Sequence, residues 1–431
     1  MTGGEFEGNC IQPKRFSTRV SQKHNVRRHL YIGCDLKRVQ TIDELRAAAE
    51  RRLPAFAWQY IESGSEDELT LERNRRVFRN ISFVPSTLVD TSGLDSSVEL
   101  FGARLPAPLV VAPTGFNGLA FPGGDSALAR AAQRARIPFT LSSFANESIE
   151  EIGTIPGAQN WFQLYILEDP SITTRLVERA RQANFKALVV TTDANVSSAR
   201  EWQRRCYRSP GKLSHPHLFD ALCHIRWVRE YVRRMVSHGE PVFANLAEFF
   251  PRRQISAAKA ASLITSQLKP RITWDDVRKI RQLWDGPLLV KGVMTEADTI
   301  RARNTGVDGV VLSNHGGRQL DCAVSPIEVL PAIRNRLPDF PILVDSGFRR
   351  GSDVLKALAL GANAVMVGRA TLYGLAAAGE GGAAHAINIL MSEIHRVMGL
   401  LGCLDLACVA RHINCPAATH SAGGGDFHCS R

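Results

Sequence analysis

Between Leu109 and Gly368 the chain repeats one pattern eight times: a short apolar or β-branched run that ends in polar residues or glycine. The runs are Leu109–Ala112, Pro138–Ser142, Trp161–Tyr165, Ala187–Asp193, Pro287–Lys291, Gly309–Asn314, Pro341–Asp345 and Ala364–Gly368. Helix-like stretches separate most of them, among them Ser171–Ala183, Ala297–Asn304 and Ser352–Leu360. Eight βα units predict an α/β fold, a closed (β/α)8 TIM barrel. An open doubly wound sheet is the alternative, but no G-x-G-x-x-G turn follows the first run, so that reading lacks its usual support.

The barrel is expected to occupy residues 39–410 of the 431. Thr41–Ile61 reads as helical, with Thr41 as N-cap and Glu44 at the capping-box spacing. Residues 203–270 hold no obvious barrel strand and are expected as a long insertion after strand four, where barrel loops cover the active site. Residues 1–38 are polar and basic and are expected as a flexible extension. Residues 411–431, with Gly423-Gly424-Gly425, are expected as a disordered tail. The nine cysteines form no C-x-x-C pair and suggest no disulfide framework, which fits a reducing, cytoplasmic setting. No apolar run is long enough to span a bilayer, and the N-terminus lacks the apolar core of a secretory signal.

A barrel gathers its strand ends around one mouth. Here those ends carry Pro113-Thr114-Gly115, Ser142-Ser143, Gln163 and Tyr165, Thr191-Thr192-Asp193, Lys291-Gly292, Ser313-Asn314-His315-Gly316-Gly317-Arg318, Asp345-Ser346-Gly347 and Gly368-Arg369. One polar strand end would mean little, but eight together are hard to explain as packing. The last two ends suggest a phosphate site: Gly347 and Gly368 let the backbone approach an anion, and Arg349 and Arg369 offer forked donors. The bland alternative is a pair of tight turns with solvated arginines. His315 alone would be a histidine satisfied by neighbouring backbone. With Asp193 to fix its tautomer, Arg200 and Arg318 to grip a carboxylate, and Tyr165 to meet a hydroxyl, it becomes the base of a site for a 2-hydroxy acid. Lys291 ends an apolar strand and should face an anion or an electron-rich group; a Schiff-base role and a salt-bridged structural lysine compete with that reading.

At these residues the chain resembles the FMN-dependent 2-hydroxy-acid oxidising family, from about Thr41 to about Cys408. The resemblance rests on Tyr60-Ile61-Glu62-Ser63-Gly64-Ser65-Glu66-Asp67, Thr140-Leu141-Ser142-Ser143, Phe162-Gln163-Leu164-Tyr165, Leu289-Val290-Lys291-Gly292, Ser313–Asp321 and Asp345–Gly351. Pro113–Gly118, Asp321-Cys322, Gly368–Leu375 and the insertion's Arg226-Trp227 resemble its mandelate dehydrogenase branch. The resemblance implies His315 as base paired with Asp193, Tyr60, Arg200 and Arg318 on the carboxylate, and Tyr165 on the hydroxyl or keto oxygen. It implies that Pro113, Thr114, Gly115, Ser142, Gln163, Thr191, Lys291 and Ser313 surround the flavin and its ribityl chain. Lys291 would stabilise the reduced flavin. Asp345, Ser346, Gly347, Phe348 and Arg349, with Gly368 and Arg369, would hold the ribityl chain and phosphate. It also implies a homo-tetramer. The chain departs from the family after Asp193, where Ser198 stands for a common glycine and Gln203 for an aspartate.

The net charge of +11 suits an anionic substrate, a phosphate-bearing cofactor, an anionic membrane surface or nucleic acid. No nucleic-acid-binding module or metal motif stands out. In the insertion, Arg226, Arg229, Arg233 and Arg234 alternate with Trp227, Val228, Tyr231 and Val232. Such a segment can lie on an anionic membrane surface, and the resemblance to the membrane-associated mandelate dehydrogenase branch implies peripheral inner-membrane contact through residues 215–250 and a quinone acceptor. The alternative is a solvated helix that packs Trp227 and Tyr231 on the barrel. Competing functions are an O2-using oxidase of the same family, another FMN barrel enzyme such as an isomerase, and an inert flavin-binding scaffold.

Overall fold

The eight apolar runs pair edge to edge into a closed parallel barrel. In chain order the strands are β1 (Leu109–Val111), β2 (Phe139–Ser142), β3 (Asn160–Tyr165), β4 (Ala187–Thr191), β5 (Leu288–Val293), β6 (Gly309–Leu312), β7 (Ile342–Val344) and β8 (Ala364–Val367). β8 closes on β1 through Val365↔Leu109 and Met366↔Val110. The structure is a computed structural model that describes residues 30–31, 35–209, 211–238, 242–249 and 268–414.

Strand side chains alternate between two cores, which is why the runs are apolar throughout rather than amphipathic. Val110, Trp161, Val189, Leu289, Val311, Leu343 and Met366 fill the barrel interior. Leu109, Leu141, Leu188, Val290, Val310, Ile342 and Val365 pack outward under the helices. An antiparallel hairpin, Val98–Leu100 with Ala103–Leu105, joins the interior cluster and sets Phe101 edge-on to Trp161 at 5.9 Å. The period of two fixes the site: stepping by twos from each interior residue toward the strand's end reaches Thr114, Gln163 and Tyr165, Thr191, Lys291, Ser313, Asp345 or Gly368.

Three boundaries differ from expectation. Thr41–Ile61 is two helices, Ile42–Arg52 and Ala55–Glu62, because Pro54 cannot donate into a continuing helix and instead caps the second. The expected capping box is present, with Glu44 N to Thr41 Oγ1 at 3.2 Å and Thr41 N to Glu44 Oε2 at 3.1 Å. Residues 36–38, expected in the flexible extension, form a 3-10 turn, and Tyr31 N donates to Glu44 Oε1 at 3.2 Å. Residues 411–414, expected in the tail, finish a 3-10 helix and pair with Ser82–Phe83. The rest of both expected terminal segments lies outside the described residues, apart from Leu30 and Asp35.

The described part of the insertion contains a hairpin (Tyr207–Ser209 with Lys212–Leu213) and the helices His215–Cys223 and Ile225–His238. Trp227 faces inward: it is buried, donates from Nε1 to Leu119 O at 3.0 Å and meets Phe56 edge-on at 5.6 Å. Tyr231 stacks on it at 4.9 Å. The expected aromatic surface is therefore corrected. The outward face carries aliphatic residues and Phe219 instead: Phe219 is 71% exposed, Leu222 62%, Ile225 74% and Val236 84%.

Candidate active site

A cavity of about 1400 Å³ opens at the carboxyl ends of the strands. Pro113, Thr114, Gly115, Ser142, Gln163, Tyr165, Thr191, Lys291, His315, Asp345, Ser346, Gly347, Phe348, Arg349, Gly368 and Arg369 all line it, with Tyr60, Arg200 and Arg318. Asp193 and Ser313 stand behind its wall. Ser313 Oγ accepts from Lys291 Nζ at 2.9 Å and from the His315 N–H at 3.0 Å.

His315 sits in a left-handed backbone conformation (φ 58), followed by Gly316 (φ 67) and Gly317 (φ 74). A Cβ on Gly317 would lie 2.6 Å from Leu71 N, so this turn closes only with glycine. The turn aims the ring at Asp193, with Nδ1 2.9 Å from Oδ1. Burial holds the His315 ring below its ordinary pKa, against the pull of Asp193. Burial alone would raise Asp193, but His315 and Lys291 outweigh it and keep its carboxyl low. A neutral imidazole that donates from Nδ1 to a carboxylate leaves Nε2 as a proton acceptor.

Beside the base lies a concentration of unneutralised positive charge. Among the described residues, Arg200, Arg318, Arg349 and Arg369 have no carboxylate within salt-bridge distance. Arg318 Nη1 donates to Tyr60 O (2.8 Å) and Ser63 O (2.9 Å), which leaves Nε and Nη2 for a ligand. Burial, then Arg200 and Arg369, depress the Arg318 pKa well below normal. An anion would relieve both the desolvation and the repulsion. Tyr60 lies under Arg318, 5.5 Å from ring centre to guanidinium, and its hydroxyl donates to Gly115 O at 3.0 Å. Burial and Asp193 raise the Tyr165 phenol, so it is protonated and able to donate at neutral pH.

At the other end, Lys291 Nζ is 3.1 Å from Asp345 Oδ2, and Asp345 Oδ1 accepts from Ser346 Oγ at 2.7 Å. The structural ion pair considered for Lys291 is present, and the same ammonium also lines the cavity. Asp345 is largely committed to Lys291 and Ser346. Arg369 spends three of its five N–H groups on Ile61 O, Gly316 O and Ser63 O. Phe348 turns its ring to Phe78, 5.0 Å away.

Residues 49–415 match the family model described as FMN-dependent dehydrogenase. The chain is 42% identical to (S)-mandelate dehydrogenase of Pseudomonas putida over 370 residues, covering 86% of this chain and 92% of that protein. It is 36% identical over 365 residues to L-lactate dehydrogenase of Pectobacterium atrosepticum, covering 84% and 94%.

This chain belongs to the FMN-dependent dehydrogenase family.

A solved structure of monotopic membrane protein (S)-mandelate dehydrogenase superposes on this FMN-dependent dehydrogenase with a TM-score of 0.82 at 40% identity, covering 88% of this chain and 100% of that one. The cavity fits FMN. Thr114 Oγ1, Gln163 Nε2 and Thr191 Oγ1 are buried on its wall without protein partners among the described residues. Buried polar atoms without partners are costly, and the polar rim and ribityl chain of a flavin would satisfy them. Lys291, Arg349 and Arg369 put three cationic side chains on the same cavity, a donor set of the kind that a flavin's pyrimidine edge and phosphate would need.

Sequence reasoning missed the aromatic wall. Phe116, Phe144, Tyr207 and Phe243 line the cavity with Trp227 and Tyr231. Phe144 stacks on Tyr165 at 4.7 Å. Phe116 owes its place to a left-handed turn (φ 56) that no local signal announces. Phe243 comes from the insertion, about a hundred residues away in the chain.

Proposed function

We propose that this enzyme oxidises a mandelate- or lactate-like 2-hydroxy acid to the 2-keto acid and passes the electrons to a membrane quinone. One observation carries the reaction: His315, held by Asp193 at 2.9 Å, stands beside two half-buried guanidiniums, Arg200 and Arg318, that have no carboxylate within salt-bridge distance among the described residues. Arg200 and Arg318 bind the substrate carboxylate, and Tyr165 donates to its hydroxyl oxygen. His315 Nε2 takes up the proton that the substrate releases, and Asp193 stabilises the resulting imidazolium. FMN, when bound, would supply the oxidising power, taking the two electrons and the second hydrogen given up as the alcohol carbon becomes a carbonyl. Pro113, Thr114, Gly115, Ser142, Gln163 and Thr191 surround the cofactor, with Ser313 acting through Lys291. Asp345, Ser346, Gly347, Phe348, Arg349, Gly368 and Arg369 form its ribityl and phosphate end. The aromatic wall favours an aryl group on the substrate.

The insertion supports this choice of acceptor. Its exposed Phe219, Ile225 and Val236, interspersed with Arg226, Arg229 and Arg233, suit an anionic membrane surface. A relative of high similarity is described as a monotopic membrane protein. Behind this face, Phe56, Leu119, Leu213, Trp227 and Tyr231 line the adjoining part of the cavity, an apolar route for a quinone ring. Anaerobic bleaching of the flavin by mandelate, lactate and glycolate tests the reaction; no bleaching by any of them rejects it. Stoichiometric peroxide with no quinone reduction would assign the enzyme to the oxidases instead.

A further inference from the structure

Glu62 ends the helix Ala55–Glu62, where a carboxylate faces the negative end of the helix dipole. Neither it nor Tyr373 lines the cavity, yet both are tied to a residue that does. Arg349 Nη2 donates to Tyr373 Oη at 3.2 Å, and Tyr373 Oη donates to Glu62 Oε2 at 2.6 Å. Arg46 Nε closes the chain from the solvent side, donating to Glu62 Oε1 at 2.9 Å. The Arg349 guanidinium lies 5.2 Å from the Tyr373 ring centre, and both side chains are buried.

We propose that Glu62 is a positioning residue for the phosphate end of the flavin site: through Tyr373 it fixes the Arg349 guanidinium that receives a phosphate monoester. This rests on Arg349 as a phosphate ligand. A phenol has a single proton. Glu62 takes it, so the oxygen's lone pairs turn to Arg349. A carboxylate placed directly on Arg349 would neutralise the charge that a dianionic phosphate needs. A phenol keeps that charge available while a carboxylate one bond removed sets the orientation. Burial alone would raise the Glu62 carboxyl, but the bonds from Tyr373 and Arg46 outweigh it and keep the group ionised.

The test compares two ligands that differ only in the phosphate. The full-length chain, freed of flavin, is titrated with FMN and with riboflavin, following quenching of flavin fluorescence. In E62Q a single acceptor oxygen must serve two donors, and in Y373F the relay is cut. Each variant is expected to weaken FMN about tenfold while leaving riboflavin within about twofold, and the double variant should lose little more than either single one. A parallel loss of both ligands, or no loss of FMN, overturns the proposal. R46Q, on the half-exposed partner, gives a smaller shift of the same kind and serves where E62Q does not fold. R349Q separates the two layers. If it leaves the FMN-to-riboflavin ratio unchanged, the phosphate role of Arg349 fails. If it collapses the ratio while E62Q and Y373F do not, only the role of Glu62 fails.

Discussion

The hydroxyl of Ser198 donates to the backbone carbonyl of Arg318 at 2.6 Å. This bond ties the loop that carries Asp193 and Arg200 to the turn that carries His315 and Arg318. Gln319 Nε2 adds to it, donating to Asp193 O at 2.8 Å and Val196 O at 3.1 Å. Ser198 thus fastens together the two segments that carry the proposed carboxylate clamp, Arg200 and Arg318. A neutral hydrogen bond contributes about 1 kcal/mol net, so S198A should raise KM for a 2-hydroxy acid about fivefold. Because the bond does not touch the reacting atoms, kcat should stay within about twofold. Steady-state kinetics decide: a fall in kcat at constant KM would place Ser198 in the chemical step.

With His315 as the proposed base, the His315–Asp193 pair is expected to set the pH profile. Burial lowers the His315 pKa below 6.5, so the base is already neutral at pH 7. The acid limb of kcat/KM should therefore have its midpoint below pH 6.5, with activity rising as the proton leaves. Asp193 works against burial and favours the imidazolium. D193N should move the midpoint further down while lowering kcat by about a hundredfold or more, because the imidazolium then forms without its counter-charge. A midpoint that moves up would mean that Asp193 does not stabilise the protonated ring.

Arg318 is proposed to perform two tasks with one group. Nη1 is held by Tyr60 O and Ser63 O at 2.8 and 2.9 Å, and the remaining edge would take the substrate carboxylate. A lysine has a single ammonium and cannot reproduce both edges of a planar fork. R318K should raise KM by roughly tenfold to a hundredfold, the range of a charge-assisted pair. Binding of a 2-keto acid product should weaken in parallel, measured by its perturbation of the flavin spectrum. Undiminished product binding would show that Arg200 alone holds the carboxylate.

The legible part of this protein was the part with short sequence periods. The strands show as apolar runs because both faces are buried, and the polar wall shows because it continues the inward row: Leu289 leads to Lys291 and Val311 to Ser313. What stayed hidden depends on contacts between distant segments. Nothing around Glu62 points to Tyr373, 311 residues on. Trp227 and Tyr231 were legible as an aromatic pair on a basic helix, but which way they faced was not. Their direction is set by Phe56 and the Leu119 carbonyl, to which no helical period refers. The break at Pro54 was readable from the residue itself, though the capping box drew attention to one long helix instead.

The proposed membrane face can be tested apart from the cavity wall. Removing residues 215–250 would strip Trp227, Tyr231 and Phe243 from the cavity, so loss of activity would be ambiguous. Serine at the exposed Phe219, Ile225 and Val236 leaves that wall in place. The triple variant should partition to vesicles containing anionic lipid far less than the parent, while flavin bleaching by the acid substrate stays unchanged. Salt should weaken binding of the parent, since arginines accompany the apolar residues. Equal partitioning of both proteins would locate the contact elsewhere.

Asp125 offers a prediction about stability. It is fully buried next to the β1 loop, accepting from Asn117 Nδ2 at 2.7 Å and from the backbone N–H groups of Asn146 (2.8 Å) and Glu147 (3.2 Å). Asn117 also donates to Thr114 O at 3.0 Å, and Asn146 to Val242 O at 3.0 Å. The cluster therefore joins the loop after β1 to the returning end of the insertion. Burial first, and then the charge of Glu147, push the Asp125 carboxyl up to about 7 from 3.8. A folded pKa above the unfolded one means that folding favours the protonated form. That contribution is complete below about pH 4, shrinks as the pH rises and is gone above about pH 7. D125N cannot ionise, so its Tm should fall less between pH 5 and pH 8 than that of the parent. Melting curves of both proteins across that interval decide it, and parallel pH dependences would show that Asp125 stays ionised throughout.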